Sequence, residues 1–408
     1  MTNRFVRTAS AAAVGVVMLA GCSMPVDSPS ESASTPGEAG SAASTPSATP
    51  TRTSPPAPVD PIEQYADDRL ADMSLRERIS SLLMLHYPGT DAAQLRDFAA
   101  TNDVGGLILM GDNIPEVPSD LATIIPQLSE DAGLPILTAI DQEGGIVRRL
   151  RTDEFAAAST LRTAPPEAAR DAFHNRADLL AAAGVSVNFG IVADQTPDTS
   201  SFIYSRVLGA TPQDAAARVA AAVEGERGTV LSTLKHFPGH GASPADSHSS
   251  IPSTDLPLAD WSTTHAVPFE AGIDAGAELV MFGHLRFTAV DTAPASLSAR
   301  WHNILRDDLG FDGISITDDM LMLQDSGEPD FADAGLNAIT ALAAGNTMLL
   351  YVLPADAASR GAAPAHLVDV IEAAVGDGRL SEATINDAAH RLLVERRELS
   401  GQTTPYEG

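Results

Sequence analysis

The feature that most constrains the fold is a series of eight short apolar runs, separated by alanine-rich segments with helical periodicity. Runs that are apolar at nearly every position are typical of strands buried on both faces, as in parallel sheets. The runs are LLMLH (82–86), GGLILMG (105–111), PILTAID (135–141), VSVNFGIV (185–192), VLSTLKH (230–236), ELVMFGH (278–284), GISITDD (313–319) and TMLLYV (347–352). Eight strands alternating with helices close a barrel, so the sequence predicts an α/β fold: one (β/α)8 TIM-type barrel over residues 61–400.

A doubly wound open sheet is the alternative. Polar residues follow the apolar runs at Asp141, His236, His284 and Asp318, at or just past the predicted strand ends. In a barrel these ends converge on one mouth, whereas in an open sheet they spread along an edge and only the switch-point crevice forms a site. The repeated placement favours the barrel.

Helix signals frame the predicted domain. Asp60-Pro61 fits a helix start, and Ser74 with Glu77 fits a capping box. Ser381 begins a segment with apolar residues at helical spacing, which we expect to close the barrel from outside. Residues 401–408 form a tail.

The N-terminal segment has the pattern of a targeting signal. Arg4 and Arg7 precede an apolar run that is too short to span a bilayer, which predicts a signal peptide over residues 1–21. The run ends in LAGC, which resembles the lipobox of bacterial lipoproteins and implies lipidation of Cys22; an ordinary cleavage site is the alternative. The expected location is therefore extracytoplasmic, with membrane attachment by the lipid anchor only. Cys22 is the single cysteine, which excludes an intramolecular disulfide and a multi-cysteine metal site.

Residues 22–60 are rich in Ser, Thr, Pro, Ala and Gly with almost no large apolar side chain. Such a segment cannot recover the entropy of folding, so we expect a disordered tether. The formal net charge of the chain is −29. Long-range repulsion by that charge disfavours nucleic acid and anionic lipid surfaces as partners.

The segment KHFPGHGASPADSH (235–248) concentrates imidazoles and a carboxylate. His236 and His240 have the spacing of a zincin helix, but Pro and Gly lie between them and the required Glu is absent. A serine hydrolase needs a GxSxG elbow, which the sequence lacks. The remaining chemistry is an imidazole acting as general acid or base, oriented by a nearby carboxylate, and Asp246 with His248 supplies such a pair.

Two further motifs carry charged groups. SITDDMLM ends a predicted strand in Asp318 and Asp319; one can cap the following helix while the other projects into the mouth as a nucleophile. DQEGGIVRRL has Asp141 and Glu143 before a Gly-Gly turn, followed by two arginines, so a carboxylate and a guanidinium can hold neighbouring hydroxyls. A dinucleotide fingerprint is absent from this motif.

Taken in order, DQEGG, KHFPGHG with DSH, GH at 283–284 and TDDM resemble the glycoside hydrolase family 3 β-N-acetylglucosaminidases, the single-barrel branch that acts on cell-wall fragments. The likeness covers about residues 62–400. It implies a retaining double displacement in which Asp318 is the nucleophile. It also implies that His248, oriented by Asp246, is the acid and then the base. No cofactor or metal is implied, and we expect a monomer.

The resemblance also assigns the residues that hold the terminal sugar: Asp141, Arg149, Lys235, His236 and, by a looser match, Arg206. The match is loose because Ser205 stands where the family has an acidic residue. Two other departures are Ile146, where Arg is common, and AGNT at 344–347 in place of AGAD.

Three functions remain open from the sequence. The first is a hydrolase that removes terminal β-GlcNAc from peptidoglycan-derived fragments. The second is a phosphorylase with the same site, since an imidazole does not repel an incoming anion as a carboxylate would. The third is an inactive sugar-binding lipoprotein.

Overall fold

Eight parallel strands form the centre of the molecule, and each coincides with one of the predicted apolar runs. The computed structural model describes residues 60–407; the predicted signal peptide, Cys22 and the predicted tether up to residue 59 lie outside the described residues. The first to eighth strands are Leu83–Leu85, Gly106–Leu109, Leu137–Ile140, Val187–Val192, Leu231–Phe237, Leu279–Phe282, Ile314–Thr317 and Leu349–Tyr351.

The sheet closes on itself. Successive strands pair in parallel from the first to the seventh, and the first strand also pairs with the eighth, Leu83 opposite Leu349. A parallel bridge between Ile316 and Met348 joins the seventh strand to the eighth. The predicted barrel is therefore confirmed, and the open-sheet alternative was wrong.

Alternate residues of each strand face the barrel interior. Leu137 and Ala139 of the third strand and Ile314 and Ile316 of the seventh belong to one buried interior cluster. The intervening side chains face the surrounding helices, because successive side chains of a strand point to opposite sides. Both faces are buried, which is why the strands are apolar at nearly every position.

Fourteen α-helices accompany the strands in the described part of the chain. They are α1 Pro61–Asp72, α2 Leu75–Ser81, α3 Ala92–Asn102, α4 Leu121–Ile124, α5 Ala158–Leu161, α6 Pro166–Ala182, α7 Pro212–Glu226, α8 Leu258–Thr263, α9 Ala266–Asp274, α10 Ala299–Asn303, α11 Leu321–Asp325, α12 Ala334–Ala344, α13 Pro364–Gly376 and α14 Glu382–Ser400. Outside the barrel, Ser253–Thr254 pairs with Arg286–Phe287. No helix between residues 60 and 407 is both long and apolar enough to cross a membrane.

The predicted helix starts are confirmed. The Asp60 carboxylate accepts from the Ile62 N–H, and Ser74 with Glu77 forms the full capping box. Ser381 caps α14 through the Ala383 N–H.

The expected position of α14 on the outside of the barrel is confirmed, since its Ile385, Ala388 and Ala389 pack in the cluster shared by the first and eighth strands and their surrounding helices. Its Leu392 joins the interior cluster, and its Arg396 donates to the Leu134 and Pro135 carbonyls just before the third strand. The helix therefore also covers the amino-terminal end of the barrel. The tail after α14 lies against the body, where Arg69 donates to the Tyr406 hydroxyl.

Candidate active site

The carboxyl ends of the strands surround a cavity of about 380 Å³. Seven of the eight residues predicted for the site line it: Asp141, Arg149, Arg206, Lys235, His236, His248 and Asp318. The eighth, Asp246, contacts His248 at its edge. Parallel strands deliver their end residues to one mouth, so side chains up to 177 positions apart in the chain meet there.

The cavity floor is a chain of alternating charges. Lys235 Nζ lies 2.8 Å from Asp141 Oδ1 and 2.7 Å from Glu143 Oε1. Arg149 pairs with the other oxygen of Asp141 at 3.1 Å, and Arg206 donates to both oxygens of Glu143 at 2.9 and 2.7 Å. Three cations face two carboxylates, so the floor keeps a net positive charge and has donors and acceptors for sugar hydroxyls.

This arrangement keeps both acids ionised. Burial alone would raise the pKa of Asp141, but Lys235 and Arg149 outweigh it and hold that pKa at about 2. Burial opposes ionisation of Glu143 as well, yet Lys235 and Arg206 lower its pKa. Glu143 was not among the predicted binding residues, although it lies in the same DQEGG motif as Asp141.

Asp194 is a site residue that the sequence analysis missed. It is fully buried just after the fourth strand and accepts from His236 Nδ1 at 2.7 Å and from the backbone N–H of His240 at 2.5 Å. Burial and the Arg206 charge lower the pKa of His236 well below its ordinary value, so that ring is neutral at neutral pH. The sequence does contain a signal for Asp194, because it follows an apolar run at the end of a predicted strand, as Asp141 and Asp318 do.

The neutral His236 ring has a defined tautomer. Arg206 Nη2 lies 3.3 Å from His236 Nε2, and a guanidinium can only donate. Nε2 is therefore the acceptor, and the proton sits on Nδ1, where it is donated to Asp194. Both ring nitrogens of His236 are engaged, Nδ1 by Asp194 and Nε2 by Arg206, so this ring offers no free nitrogen to a zinc ion. The described residues contain no group of three His, Cys, Asp or Glu that could hold a metal ion.

Asp318 and Asp319 have different environments. Asp318 shares the strand parity of the inward-facing Ile314 and Ile316 and lines the cavity. Burial would raise its pKa, but the Asp319 backbone N–H, which donates to Asp318 Oδ1 at 2.8 Å, and the positive charge of Lys235 lower it, so it is a carboxylate at neutral pH. An ionised carboxylate is the form that a nucleophile needs.

Asp319 also borders the cavity, but it stabilises the surrounding backbone. Its Oδ1 accepts from the Leu321 and Val352 N–H groups, both at 3.1 Å, and burial raises its pKa to about 7. Its own carbonyl accepts from His284 Nε2 at 3.0 Å, so that Nδ1 of the ring accepts from the Ser296 hydroxyl at 2.7 Å.

The His248 and Asp246 pair stands at the rim. His248 Nδ1 lies 2.7 Å from Asp246 Oδ1, which also accepts from the His248 backbone N–H at 3.0 Å. The His248 side chain is 64% exposed. Its ring contacts Phe202 edge-on, and the adjacent Ser247 bonds His240 Nε2 at 3.0 Å. With Nδ1 engaged by Asp246, the Nε2 atom is the one that can exchange a proton with a ligand.

The departures from the family pattern fall in two kinds of environment. Ile146 is 78% exposed and lines the mouth of the cavity, so it presents an apolar surface where an arginine is common. Asn346, in the AGNT segment, is buried and donates to the Ser296 and Ala341 carbonyls. It therefore stabilises the segment behind His284 and does not line the cavity.

Comparison with known proteins gives a consistent result. Residues 74–394 match the family model described as glycosyl hydrolase family 3 N terminal domain. A β-hexosaminidase of Xanthomonas oryzae pv. oryzae is 35% identical over 254 residues, which is 59% of this chain and 75% of the relative.

Two solved structures resemble the barrel. A glycoside hydrolase family 3 β-N-acetylglucosaminidase from Paenibacillus sp. superposes with a TM-score of 0.74 at 29% identity over 81% of this chain, which spans only 64% of that protein. A β-N-acetylhexosaminidase from Beutenbergia cavernae gives a TM-score of 0.69 at 28% identity, covering 80% of this chain and 99% of that one.

Proposed function

This chain belongs to glycosyl hydrolase family 3 and is a glycoside hydrolase, and on that basis we propose that it is a retaining exo-β-N-acetylglucosaminidase. The proposed substrates are peptidoglycan-derived fragments with a terminal, non-reducing β-GlcNAc. One observation carries the proposal: the Asp318 carboxylate and the His248 ring line the same cavity, above a charged floor suited to sugar hydroxyls. A nucleophile and a proton donor on one cavity are what two-step retention requires.

In the first step an Asp318 oxygen bonds to the anomeric carbon while the bond from that carbon to the leaving oxygen breaks. His248, protonated at Nε2, gives its proton to the leaving oxygen, so that the aglycone departs as a neutral alcohol. Asp246 accepts from Nδ1 throughout, which orients the ring. Asp141, Arg149 and Lys235 are the proposed contacts to the hydroxyls of the terminal sugar.

In the second step the neutral His248 ring takes a proton from water at Nε2. The water oxygen bonds to the anomeric carbon, and the bond to Asp318 breaks and releases the carboxylate. Two inversions give a product with the β configuration of the substrate.

The test of the nucleophile is Asp318→Asn, which keeps the shape of the side chain and removes its charge. We expect turnover of an aryl β-GlcNAc to fall by about a thousand-fold or more with unchanged folding. Asp330→Asn, at an exposed carboxylate in the Pro329–Phe331 turn, is the matched control. A 5-fluoro-GlcNAc fluoride should leave a glycosyl mass on the peptide that contains Asp318; a full rate in Asp318→Asn, or a tag elsewhere, would refute the assignment.

A phosphorylase is the second candidate, because the floor has a net positive charge and the proposed base is an imidazole, so neither opposes an incoming phosphate. Rates with and without inorganic phosphate, and the appearance of GlcNAc-1-phosphate, separate the two reactions. Release of free GlcNAc at a rate that phosphate leaves unchanged supports the hydrolase.

The proposed location is extracytoplasmic, with attachment to the membrane through a lipid on Cys22. The LAGC motif and the Ser, Thr and Pro-rich segment after it support this proposal. An alkyne fatty acid supplied to an expressing bacterium should tag the wild-type protein and leave Cys22→Ala untagged. A wild-type protein that stays unlabelled and fractionates away from membranes would contradict it.

A further inference from the structure

A second cavity of about 380 Å³ adjoins the active-site cavity, since Met110 and Arg149 line both. Arg148, Arg149 and Arg151 line this groove. The groove therefore begins next to the charged floor, at Arg149.

The groove carries positive charge in a strongly acidic protein. Among the described residues that line it, Glu116 is the only acid, against the three arginines. Arg149 is committed to Asp141, but neither Arg148 nor Arg151 has a carboxylate within 4.0 Å in the described part of the chain. In a chain with a net charge of −29, two unpaired guanidiniums beside the active site mark a place for an anion.

The Arg148 side chain is held in position. Its Nη1 donates to the Asp153 carbonyl at 2.6 Å. Asp153 is fully buried and is fixed by Arg176 Nε at 2.7 Å and Gln142 Nε2 at 2.9 Å. This network immobilises the loop before a ligand arrives, which reduces the entropy lost on binding.

Part of the groove is apolar. Ile114, Pro115 and Pro118, from the segment after the second strand, line it. A groove lined by both apolar side chains and guanidiniums fits a ligand with a hydrocarbon face and an acidic group, and the volume of the groove exceeds what a single phosphate ion would fill.

We infer that this groove binds the part of the substrate beyond the terminal sugar and that Arg148 and Arg151 recognise a carboxylate there. The inference rests on the proposed function and adds to it a preference for acidic substrates. Guanidiniums match carboxylate geometry and pair with it by charge-assisted hydrogen bonds. The negative field of the protein repels an acidic ligand at long range but is screened beyond about 8 Å at physiological salt, so the nearby arginines decide the affinity.

The experiment compares two disaccharides. GlcNAc-β-1,4-MurNAc carries a lactyl carboxylate on its second sugar, and N,N′-diacetylchitobiose lacks it. We expect Arg148→Gln and Arg151→Gln each to lower kcat/KM on the acidic disaccharide by about 3- to 5-fold, and the double variant by about 10-fold, mainly through KM. On chitobiose and on an aryl β-GlcNAc the change should stay within about 2-fold, since those substrates lack the carboxylate.

Arg170→Gln is the matched control, because Arg170 is exposed on α6 and pairs with Asp171 away from both cavities. Arg170→Gln also removes one positive charge, and we expect the ratio of kcat/KM on the two disaccharides to stay as in the wild type. Arg151 forms no hydrogen bond within the described residues, so its variant tests the inference even if Arg148→Gln disturbs the loop.

Equal losses on both disaccharides, or an unchanged ratio in the double variant, would overturn the inference while leaving the proposed function intact. Turnover that requires inorganic phosphate and loses that requirement in the double variant would also overturn it, since the groove would then hold the nucleophile. If the wild type cleaves none of the substrates, the proposed function fails. Calorimetric titration with MurNAc and GlcNAc then decides the inference: tighter binding of MurNAc that the double variant loses supports it, and equal binding refutes it.

Discussion

Asp319 gives a sharp test, because replacing it by Asn should stabilise the protein above neutral pH. Both of its hydrogen bonds use Oδ1, which the amide retains. Burial raises the pKa of the carboxyl to about 7 from an ordinary value of 3.8. A pKa difference of about 3 means that ionising this carboxyl destabilises the native state by about 4 kcal/mol. Because Asp319 borders the cavity, solvent reduces this penalty, and we take about 2 kcal/mol as its lower bound.

The sign follows from the protons bound in each state. Below pH 3.8 the carboxyl is protonated in both states, so it contributes no pH dependence. Between pH 3.8 and about 7 the native state keeps a proton that the unfolded state has released, so wild-type stability falls as the pH rises. Above pH 7 the whole penalty is present. The asparagine variant has no such titration.

The assay is urea unfolding of the wild type and Asp319→Asn at pH 4, 6 and 8. We expect the difference in unfolding free energy to move in favour of the variant by about 2–4 kcal/mol between pH 4 and pH 8. Asp330→Asn, at an exposed carboxylate without an ion pair in the described residues, should show no such trend. A difference that stays constant with pH would refute the reasoning, since the native carboxylate would then ionise without cost.

Three further predictions concern the site and its support. His248→Ala should slow substrates with poor leaving groups by about 100-fold or more and activated aryl substrates far less, because only the former need a proton; equal losses in steady-state rates would argue against an acid role. Lys235→Met leaves the two buried carboxylates that it bridges without their shared cation, so thermal or urea unfolding should show a loss of about 3–5 kcal/mol, and an unchanged stability would contradict the ion-pair network. Gly241→Ala would bring a Cβ to within 2.0 Å of the Gln195 carbonyl oxygen, so we expect a lower melting temperature; Gly376→Ala, which has open space around it and no positive φ, is the control and should change the melting temperature far less.

Much of the fold was predictable from local pattern. The apolar runs gave all eight strands, and Asp60, Ser74 and Ser381 marked helix starts, because strand burial and capping depend on residues close in the chain. The order of the elements also predicted a common mouth for Asp141 and Asp318, since all strands of a parallel barrel end on the same side.

The sequence determined which residues reach the mouth, and the tertiary structure decided which of them meet. Asp318 and Asp319 are adjacent, and the alternation of Ile314 and Ile316 with Ser315 and Thr317 separates the two faces of the strand. Both faces are buried, so only ring closure shows that Ile314, Ile316 and therefore Asp318 face the barrel interior. The pairing of Asp194 with His236 likewise depends on a side-chain distance across neighbouring strands. Periodicity along one strand contains no information about such distances, so only the closed barrel fixes them.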